Sequence, residues 1–291
     1  MPEQLTHSIK RILGAPPAFY AHRLRAAGIS AETLGDSAWS RLPLTHRSEL
    51  VRDQLEHLPH GTRRFADAAA PVRAGATGTG ADLLVLTFTA NDLARERAAG
   101  VRVLRRCGVR AGTRVANTLP GALATPGSLL LGDVVEDLGA LDVPLGAIES
   151  DAAAKQAWEL VERVQPEVLV LDGATAGRFL NSAPAIGRDW LQGLVWLRRA
   201  GDAAPTASFG NFHGWQRTWL AIPEATSFMA ASCRAGRFHV DEGVVADVVD
   251  GELVVTNVVG DTPIVRYASG MRAVLAERCG CGETEPALLI E

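Results

Sequence analysis

Lysine is almost missing from this sequence, and the positive side chains are nearly all arginine. Only Lys10 and Lys155 are present among 291 residues. The formal net charge is −4, so no overall basic charge favours a nucleic-acid partner. Long apolar runs are missing as well: no stretch is long enough to cross a bilayer, and residues 1–14 are too polar for a secretory signal. We therefore expect a cytoplasmic protein without a membrane or nucleic-acid partner.

Cysteine is scarce, and four cysteines in a chain of this length do not form a disulfide framework. Cys107 stands alone and is expected to be a core residue at a helix end. The other three form two short motifs with one histidine, Cys233-x5-His239 and Cys279-x-Cys281. Three thiolates and one imidazole make a closed tetrahedral zinc set with no position left for water. We predict a structural zinc site; the alternative is buried free thiols beside a surface histidine.

Alternating strand and helix patterns predict an α/β fold with a mostly parallel sheet. The predicted strands are residues 83–89, 114–117, 168–171 and 191–197, and the predicted helices are residues 19–28, 46–55, 91–106, 125–138 and 151–164. Thr45 is a candidate cap of the second helix, and Asn91 or Asp92 of the third. Residues 74–81, rich in Gly, Thr and Ala, are predicted to be a tight loop.

The pattern changes after about residue 237. Val-rich segments at 244–249, 253–259 and 264–267, with Asp250-Gly251 as a hairpin turn, predict a small antiparallel unit. A hydrophobic content of 47% is enough for one large core. We predict one domain over residues 1–291, consisting of a helical lead-in (1–75), an α/β core (76–236) and a β subdomain (237–291).

Several segments, in the same order, resemble motifs of one enzyme family. Residues 76–93 (ATGTGADLLVLTFTANDL) look like a phosphate loop followed by a strand and a "T-x-NDL" helix start. Residues 251–256 (GELVVT) match "GELVxT", residues 263–270 (PIVRYASG) resemble "PxIRYRTG", and residues 279–282 (CGCG) resemble "CPCG". The family is the phenylacetate–CoA ligase branch of the adenylate-forming superfamily. The resemblance implies the fold of its large N-terminal domain, and some members place similar Cys and His residues around a metal. The family's small C-terminal lid domain is expected to be absent.

The resemblance also locates the family's phosphate loop, which supplies backbone N–H groups, hydroxyls and a lysine to ATP. Gly78, Thr79 and Gly80 match a remnant of this loop. Asp82 stands at the lysine position, where a carboxylate would repel a triphosphate. A tight turn before a strand is therefore favoured over a working phosphate cradle.

Three further parts of the family's ATP site are changed. Residues 221–226 (AIPEAT) correspond to the "YG-x-TE" motif and begin with Ala221 instead of an aromatic ring; Glu224 fits the magnesium-holding glutamate only after a one-residue slip. We expect Glu224 to be an exposed carboxylate in a loop or at a helix start. Met271 replaces the ribose-binding aspartate of "YRTGD" and is expected to pack, because a thioether is only a weak acceptor. Neither lysine matches the catalytic lysine of the family's lid.

Other side chains remain as candidate catalytic residues. His213 lies in an aromatic segment, residues 209–219, and is a candidate acid or base; its alternative role is a packed histidine. Tyr267 and Glu224 are the other two candidates. His46 and Arg47 are expected to be surface residues at a helix start.

These losses favour a repurposed, degenerate relative in a biosynthetic setting. It would bind or transform a small acyl or aryl carboxylate without ordinary ATP-dependent adenylation, so ATP and magnesium are not expected cofactors. Two alternatives stay open: an active ATP-dependent ligase, and a noncatalytic scaffold that pairs with an intact ligase as protein partner. An open cleft with polar groups would favour ligand binding over the scaffold.

Overall fold

The computed structural model describes residues 3–30, 40–121, 127–183, 189–202, 212–276, 278–283 and 287–291. Parts of two predicted segments, residues 125–126 and 209–211, lie outside this range. Within it, no helix combines the length and apolarity needed to cross a membrane.

Among the described residues, three helices come first: α1 (Glu3–Gly14), α2 (Ala18–Ala26) and α3 (Arg47–Glu56). The predicted cap of α3 was wrong. His46, not Thr45, is the N-cap residue, and its backbone N–H donates to Oε2 of Glu49 at 2.8 Å. Thr45 is instead fully buried, and its hydroxyl donates to the carbonyl of Val265 at 2.8 Å. The start of α3 is thereby attached to a C-terminal strand.

A two-stranded antiparallel hairpin follows, and a long helix comes after it: β1 (Arg73–Thr77), β2 (Leu84–Phe88) and α4 (Ala90–Cys107). The predicted loop at residues 74–81 was therefore partly wrong, since its first half is strand β1. The cap of α4 is Thr89, whose hydroxyl accepts the backbone N–H of Asp92 at 3.0 Å. Asp92 is the third residue of the capping box rather than the cap. Cys107 ends α4 and is buried, as predicted.

The central part of the main sheet alternates strands with helices: β3 (Arg114–Asn117), α5 (Ser128–Asp137), β4 (Leu141–Pro144), α6 (Asp151–Val164), β5 (Val168–Asp172), α7 (Gly173–Asn181), β6 (Gly193–Arg198) and β7 (Trp215–Ile222). These strands are parallel, in the order β4-β3-β5-β6-β7. Helices cover both faces, and every residue of β5 and β6 is buried in consequence.

The remaining strands are antiparallel: β8 (Thr226–Ser232), β9 (Phe238–Val240), β10 (Val245–Val249), β11 (Glu252–Asn257), β12 (Ile264–Ala276) and β13 (Ala287–Ile290). They extend the sheet to eleven strands in the order β10-β11-β12-β13-β9-β8-β7-β6-β5-β3-β4. Asp250 and Gly251 both have positive φ, as the predicted hairpin turn requires. The predicted α/β class, with a parallel centre and antiparallel C-terminal strands, is confirmed.

Candidate functional site

The loop between β1 and β2 closes around the side chain of Arg47. The guanidinium donates from Nη2 to the carbonyl oxygens of Thr77 and Asp82, each at 2.8 Å, and from Nε to Oδ2 of Asp82 at 2.7 Å. Gly78 has a φ of +73°, and a Cβ there would lie 2.4 Å from Nη2 of Arg47. Only glycine allows this approach. The space inside the loop is therefore occupied by a cation of the protein itself.

A second carboxylate completes this cluster from the turn after β7. Glu224 accepts a hydrogen bond from Nη1 of Arg47 and another from the Thr77 hydroxyl at 2.9 Å. Its side chain is only 7% exposed, so the prediction of an exposed Glu224 was wrong. The prediction of Arg47 as a surface residue was also wrong, because its side chain is 23% exposed and fully engaged. Although burial opposes it, attraction to Glu224 and Asp82 raises the pKa of Arg47.

Tyr267 and Met271 lie on β12 and are both buried, and Tyr267 is close enough to Arg47 and Glu224 to interact with their charges. Burial raises the pKa of Tyr267, and the negative charge of Glu224 adds to the effect, so the phenol stays neutral at physiological pH. Met271 packs in a hydrophobic cluster that includes Leu253 and Leu288. A thioether in such a cluster makes van der Waals contacts and offers no charge to a ribose.

The other candidate residues are not brought together with Arg47. His213 is exposed just before β7. Thr79 and Gly80 are exposed in the loop, and no atom lies near a Cβ built on Gly80. Ala221 is fully buried in the core beneath α4, a place with no room for a ring that stacks on adenine.

The predicted metal-binding residues do come together. The ligand atoms of Cys233, His239, Cys279 and Cys281 all lie within 4.8 Å of one another. The Sγ atoms of Cys233 and Cys279 are 3.4 Å apart, and Sγ of Cys281 is 3.3 Å from Nε2 of His239. Tetrahedral zinc with bonds of about 2.3 Å to sulfur places its ligands roughly 3.5–3.8 Å apart, so one ion fits among these atoms.

The surroundings of this cluster fit an ion with bound thiolates. Burial disfavours the ionised form of Cys233, but the backbone N–H groups of Ala235 and Arg237, together with contacts to Cys279 and His239, outweigh it and lower the pKa of this thiol. On the far side of the imidazole, Nδ1 of His239 lies 3.3 Å from a carboxylate oxygen of Glu283. This contact is at ion-pair distance only, because Nδ1 has no hydrogen-bond partner among the described residues.

A cavity of about 580 Å³ lies beside α4. Glu96 lines it from α4 and accepts the backbone N–H of Ser227 at 2.9 Å. Burial, with a smaller contribution from the nearby charge of Asp92, raises the pKa of Glu96 to about 7. Sequence reasoning missed Glu96, although it shares a buried helical stripe with Asp92, Ala99 and Val103, a pattern that indicates an inward-facing acid.

Comparisons with known proteins identify the fold. No protein-family model and no curated protein sequence matches the chain. The solved structure of a 2-hydroxyisobutyryl-CoA ligase, in complex with 2-HIB-AMP and CoA, matches at 17% identity with a TM-score of 0.85, covering 98% of this chain and 67% of the ligase. The amide bond synthetase McbA from Marinactinospora thermotolerans matches at 15% identity with a TM-score of 0.53, covering 81% of this chain and 51% of McbA. Mycobacterium smegmatis MbtA matches at 16% identity with a TM-score of 0.51, covering 80% and 48%.

This chain therefore has the fold of the adenylate-forming enzymes, and the predicted resemblance is confirmed at the level of the fold. It spans 65–67% of the length of the 2-hydroxyisobutyryl-CoA ligase in four matching structures of that enzyme.

Proposed function

We propose that this chain is a small-molecule-binding relative of the adenylate-forming ligases that does not carry out ordinary ATP-dependent adenylation. The observation that carries the proposal is the guanidinium of Arg47 inside the loop that resembles the family's phosphate loop. Arg47 fills the loop with its own side chain and uses its donors on Thr77, Asp82 and Glu224.

Electrostatics at the loop supports the same proposal. Arg47 is paired with two carboxylates, Asp82 and Glu224, so the three side chains together carry a formal charge of −1. A triphosphate carries several negative charges, and its transfer reactions depend on surrounding positive charge and free donors. Opening the loop for ATP would also break a largely buried ion pair, which costs about 3–5 kcal/mol when one partner is left alone.

The open cavity beside α4 favours ligand binding over a purely structural role. Its volume of about 580 Å³ is within the usual range for small-molecule sites, and its walls combine apolar surface with polar groups. A scaffold that only pairs with another protein has no need of such a cavity.

The test is a calorimetric titration of the metal-loaded protein with ATP and magnesium, followed by a pyrophosphate-release assay with aryl and fatty acids. We expect no detectable ATP binding by the wild-type chain. The matched variant Asp82→Asn/Glu224→Gln keeps both shapes but frees the charge of Arg47, and it should gain measurable affinity for ATP. Micromolar binding of ATP by the wild type would refute the proposal.

We also propose that Cys233, His239, Cys279 and Cys281 hold a structural zinc ion. The support is the close approach of three thiols and one imidazole, a donor set that suits zinc in a closed tetrahedral site. The ion would join the turn after β8 to the segment before β13 and so stabilise the C-terminal strands. Elemental analysis of the purified protein should find about one zinc per chain, and a zinc-free protein would contradict the proposal.

A further inference from the structure

Acids outnumber arginines on the wall of the cavity beside α4. Three arginines line it, and so do five carboxylates, those of Asp92, Glu96, Glu224, Asp241 and Glu242. Glu224 is already paired with Arg47. Asp241 and Glu242 share one arginine, Arg102, at 2.7 and 3.4 Å. The remaining two carboxylates both belong to α4.

Asp92 and Glu96 lie one turn apart on α4, so their side chains are on the same side of the helix. Both residues are buried. Among the residues that the structure describes, no arginine, lysine or histidine side chain lies within ion-pair distance of either carboxylate. Buried acids are normally paired, because an unpaired charge away from water is costly. This side of α4 therefore lacks a counter-ion.

The two acids differ in how their oxygens are used. Asp92 accepts the backbone N–H groups of Thr89 at 3.1 Å and of Asp261 at 2.7 Å, one on each oxygen. That is the ordinary role of an acid in the first turn of a helix, where the helix dipole also stabilises its charge. Glu96 lies beyond the first turn and accepts one backbone N–H, from Ser227 at 2.9 Å, on Oε2. An ionised carboxylate can accept about four hydrogen bonds, so Glu96 is the acid with capacity left for a ligand.

The surroundings of Glu96 favour a positive ligand. Burial raises the pKa of Glu96, and the like charge of Asp92 adds to the rise, while contacts to Ser227 and Thr226 oppose it. A cation beside the carboxylate would offset both the burial and the repulsion. An ammonium group is compact and has three N–H donors, so it can supply this charge together with hydrogen bonds.

The arginines of the cavity do not supply the missing charge. Arg102 is engaged with its two acids, and Arg95 is an exposed residue of α4. Arg63 is buried. Burial raises the pKa of Tyr20 and of Tyr267, and the nearby charge of Arg63 opposes this rise, which places its guanidinium near α2 and β12. None of the three arginines is within ion-pair distance of the acids on α4.

The rest of the cavity has room for an apolar ligand body. Val85, Leu86 and Phe88 of β2 line it, and its volume of about 580 Å³ is ample for a small organic molecule. An aromatic ring in the wall also suits an organic cation. A calcium ion takes about six to eight oxygen ligands, which is more than the two acids of α4 supply.

We propose that this cavity binds a small organic ammonium ion, with its charged group at Glu96 and its apolar body against β2. This inference rests on the proposed small-molecule-binding function and names the chemical class of the ligand. Its charge is opposite to that of the carboxylic acid expected from the resemblance to the ligase family. A primary amine with a short alkyl or aryl group fits this description; inorganic anions and nucleotides do not.

The first experiment compares amines with uncharged alcohols on the wild-type protein. Hexylamine and benzylamine are titrated by calorimetry at about pH 8, where alkylamines keep their extra proton. Hexanol and benzyl alcohol have nearly the same shapes without the charge, and hexanoate has the opposite charge. We expect the amines to bind at least about tenfold more tightly than the alcohols, since hydrogen bonds between charged groups are the strong ones. Equal affinities for amine and alcohol, tighter binding of hexanoate than of hexylamine, or no binding of any probe would overturn the inference.

A competition titration distinguishes an ammonium site from a metal site. Calcium chloride is added to the protein loaded with hexylamine. We expect calcium to leave the bound amine in place, because the acids of α4 offer too few ligands. Displacement of the amine at micromolar calcium would show a metal site instead and would contradict the proposal.

The second experiment assigns the effect to Glu96. Glu96→Gln keeps the shape and an acceptor for Ser227 but removes the charge, and we expect it to abolish the preference for amine while alcohol affinity stays within about twofold. Glu242→Gln is the matched control, because Glu242 lines the same cavity but is exposed and lies beside Arg102. This control should keep most of the preference. If Glu96→Gln still prefers the amine, or if both variants lose the preference equally, the inference is wrong. Should Glu96→Gln fail to fold, the comparison of amine with alcohol on the wild type decides without any variant.

The same samples separate this inference from the proposed loss of adenylation. ATP with magnesium is titrated into each protein in parallel. ATP binding together with a Glu96-dependent preference for amines would refute only the loss of adenylation. Absence of both ATP binding and amine preference would refute only the ammonium site.

Discussion

Glu96 gives a sharp prediction about stability and pH. Its carboxyl is buried beside the cavity, and burial raises its pKa to about 7, against an ordinary value of 4.5. The substitution Glu96→Gln keeps the shape and still offers an oxygen to the backbone N–H of Ser227. The variant cannot ionise, so the pH dependence that comes from this position disappears.

The sign of the pH dependence follows from whether the folded or the unfolded chain holds the proton. Below about pH 4.5 the carboxyl is protonated in both the folded and the unfolded chain, so it adds no pH-dependent penalty. Between about pH 4.5 and 7 the unfolded chain releases the proton while the folded chain keeps it, and the free energy of unfolding falls as pH rises. Above about pH 7 the full penalty applies. At roughly 1.4 kcal/mol for each factor of ten in proton affinity, this penalty lowers the free energy of unfolding by about 3 kcal/mol.

The measurement is urea unfolding of metal-loaded protein at a series of pH values from about 5 to 8.5. Wild type and Glu96→Gln should have similar stability near pH 5, and the variant should be more stable by about 3 kcal/mol near pH 8. Glu159→Gln is the control, because Glu159 is an exposed glutamate of α6 and its neutralisation should leave the pH profile unchanged.

The informative quantity is the difference between wild type and variant, since other groups titrate in both proteins. A difference that stays constant from pH 5 to pH 8 would show that Glu96 is ionised throughout, with a pKa near its ordinary range. The argument from burial would then be refuted, whatever the absolute stabilities are.

Three further predictions concern the loop, the core and the metal cluster, and unfolding experiments check all of them. Gly78→Ala should destabilise by about 2 kcal/mol or more, because a Cβ meets the backbone carbonyl oxygen of Asp82 and Nη2 of Arg47, whereas Gly80→Ala, also at positive φ but in open space, should cost only about 1 kcal/mol; equal losses would contradict the closed loop. Met271→Asp should cost about 3–5 kcal/mol through a buried unpaired charge, whereas Met271→Leu should cost less than about 1.5 kcal/mol; a well-tolerated aspartate would show that the site is not buried. Cys279→Ser should lose bound zinc and several kcal/mol of stability, and unchanged stability would count against a structural ion.

The fold was predictable where local patterns repeat. Alternation of apolar strands with amphipathic helices identified the parallel centre, and the Asp250-Gly251 pair identified the hairpin of β10 and β11. Local signals were less reliable at boundaries. Thr45 looks like a helix cap in the sequence, yet its hydroxyl is used by a carbonyl of β12, 220 residues further along the chain. Competition between a local cap and a distant strand cannot be settled by inspecting neighbouring residues.

The candidate site was predictable only in part for the same reason. The short spacings of Cys233 with His239 and of Cys279 with Cys281 indicated a metal cluster, because each pair is local. The pairing of Arg47 with Glu224 spans 177 residues, and no local pattern marks either residue.

On the proposed loss of adenylation, the charges around the loop fit a site that has been rebuilt better than one that has only decayed. In the resemblance to the ligase family, Asp82 stands where a lysine belongs, and random loss of function would leave such a carboxylate without a partner. Here Asp82, Glu224 and Thr77 all bind the same guanidinium, and Gly78 provides the space for it. A mutually satisfied set of this kind stabilises the closed loop. On the proposed loss of adenylation, we predict that Asp82→Lys alone places two cations together and does not produce ATP binding, which the same calorimetric titration would check.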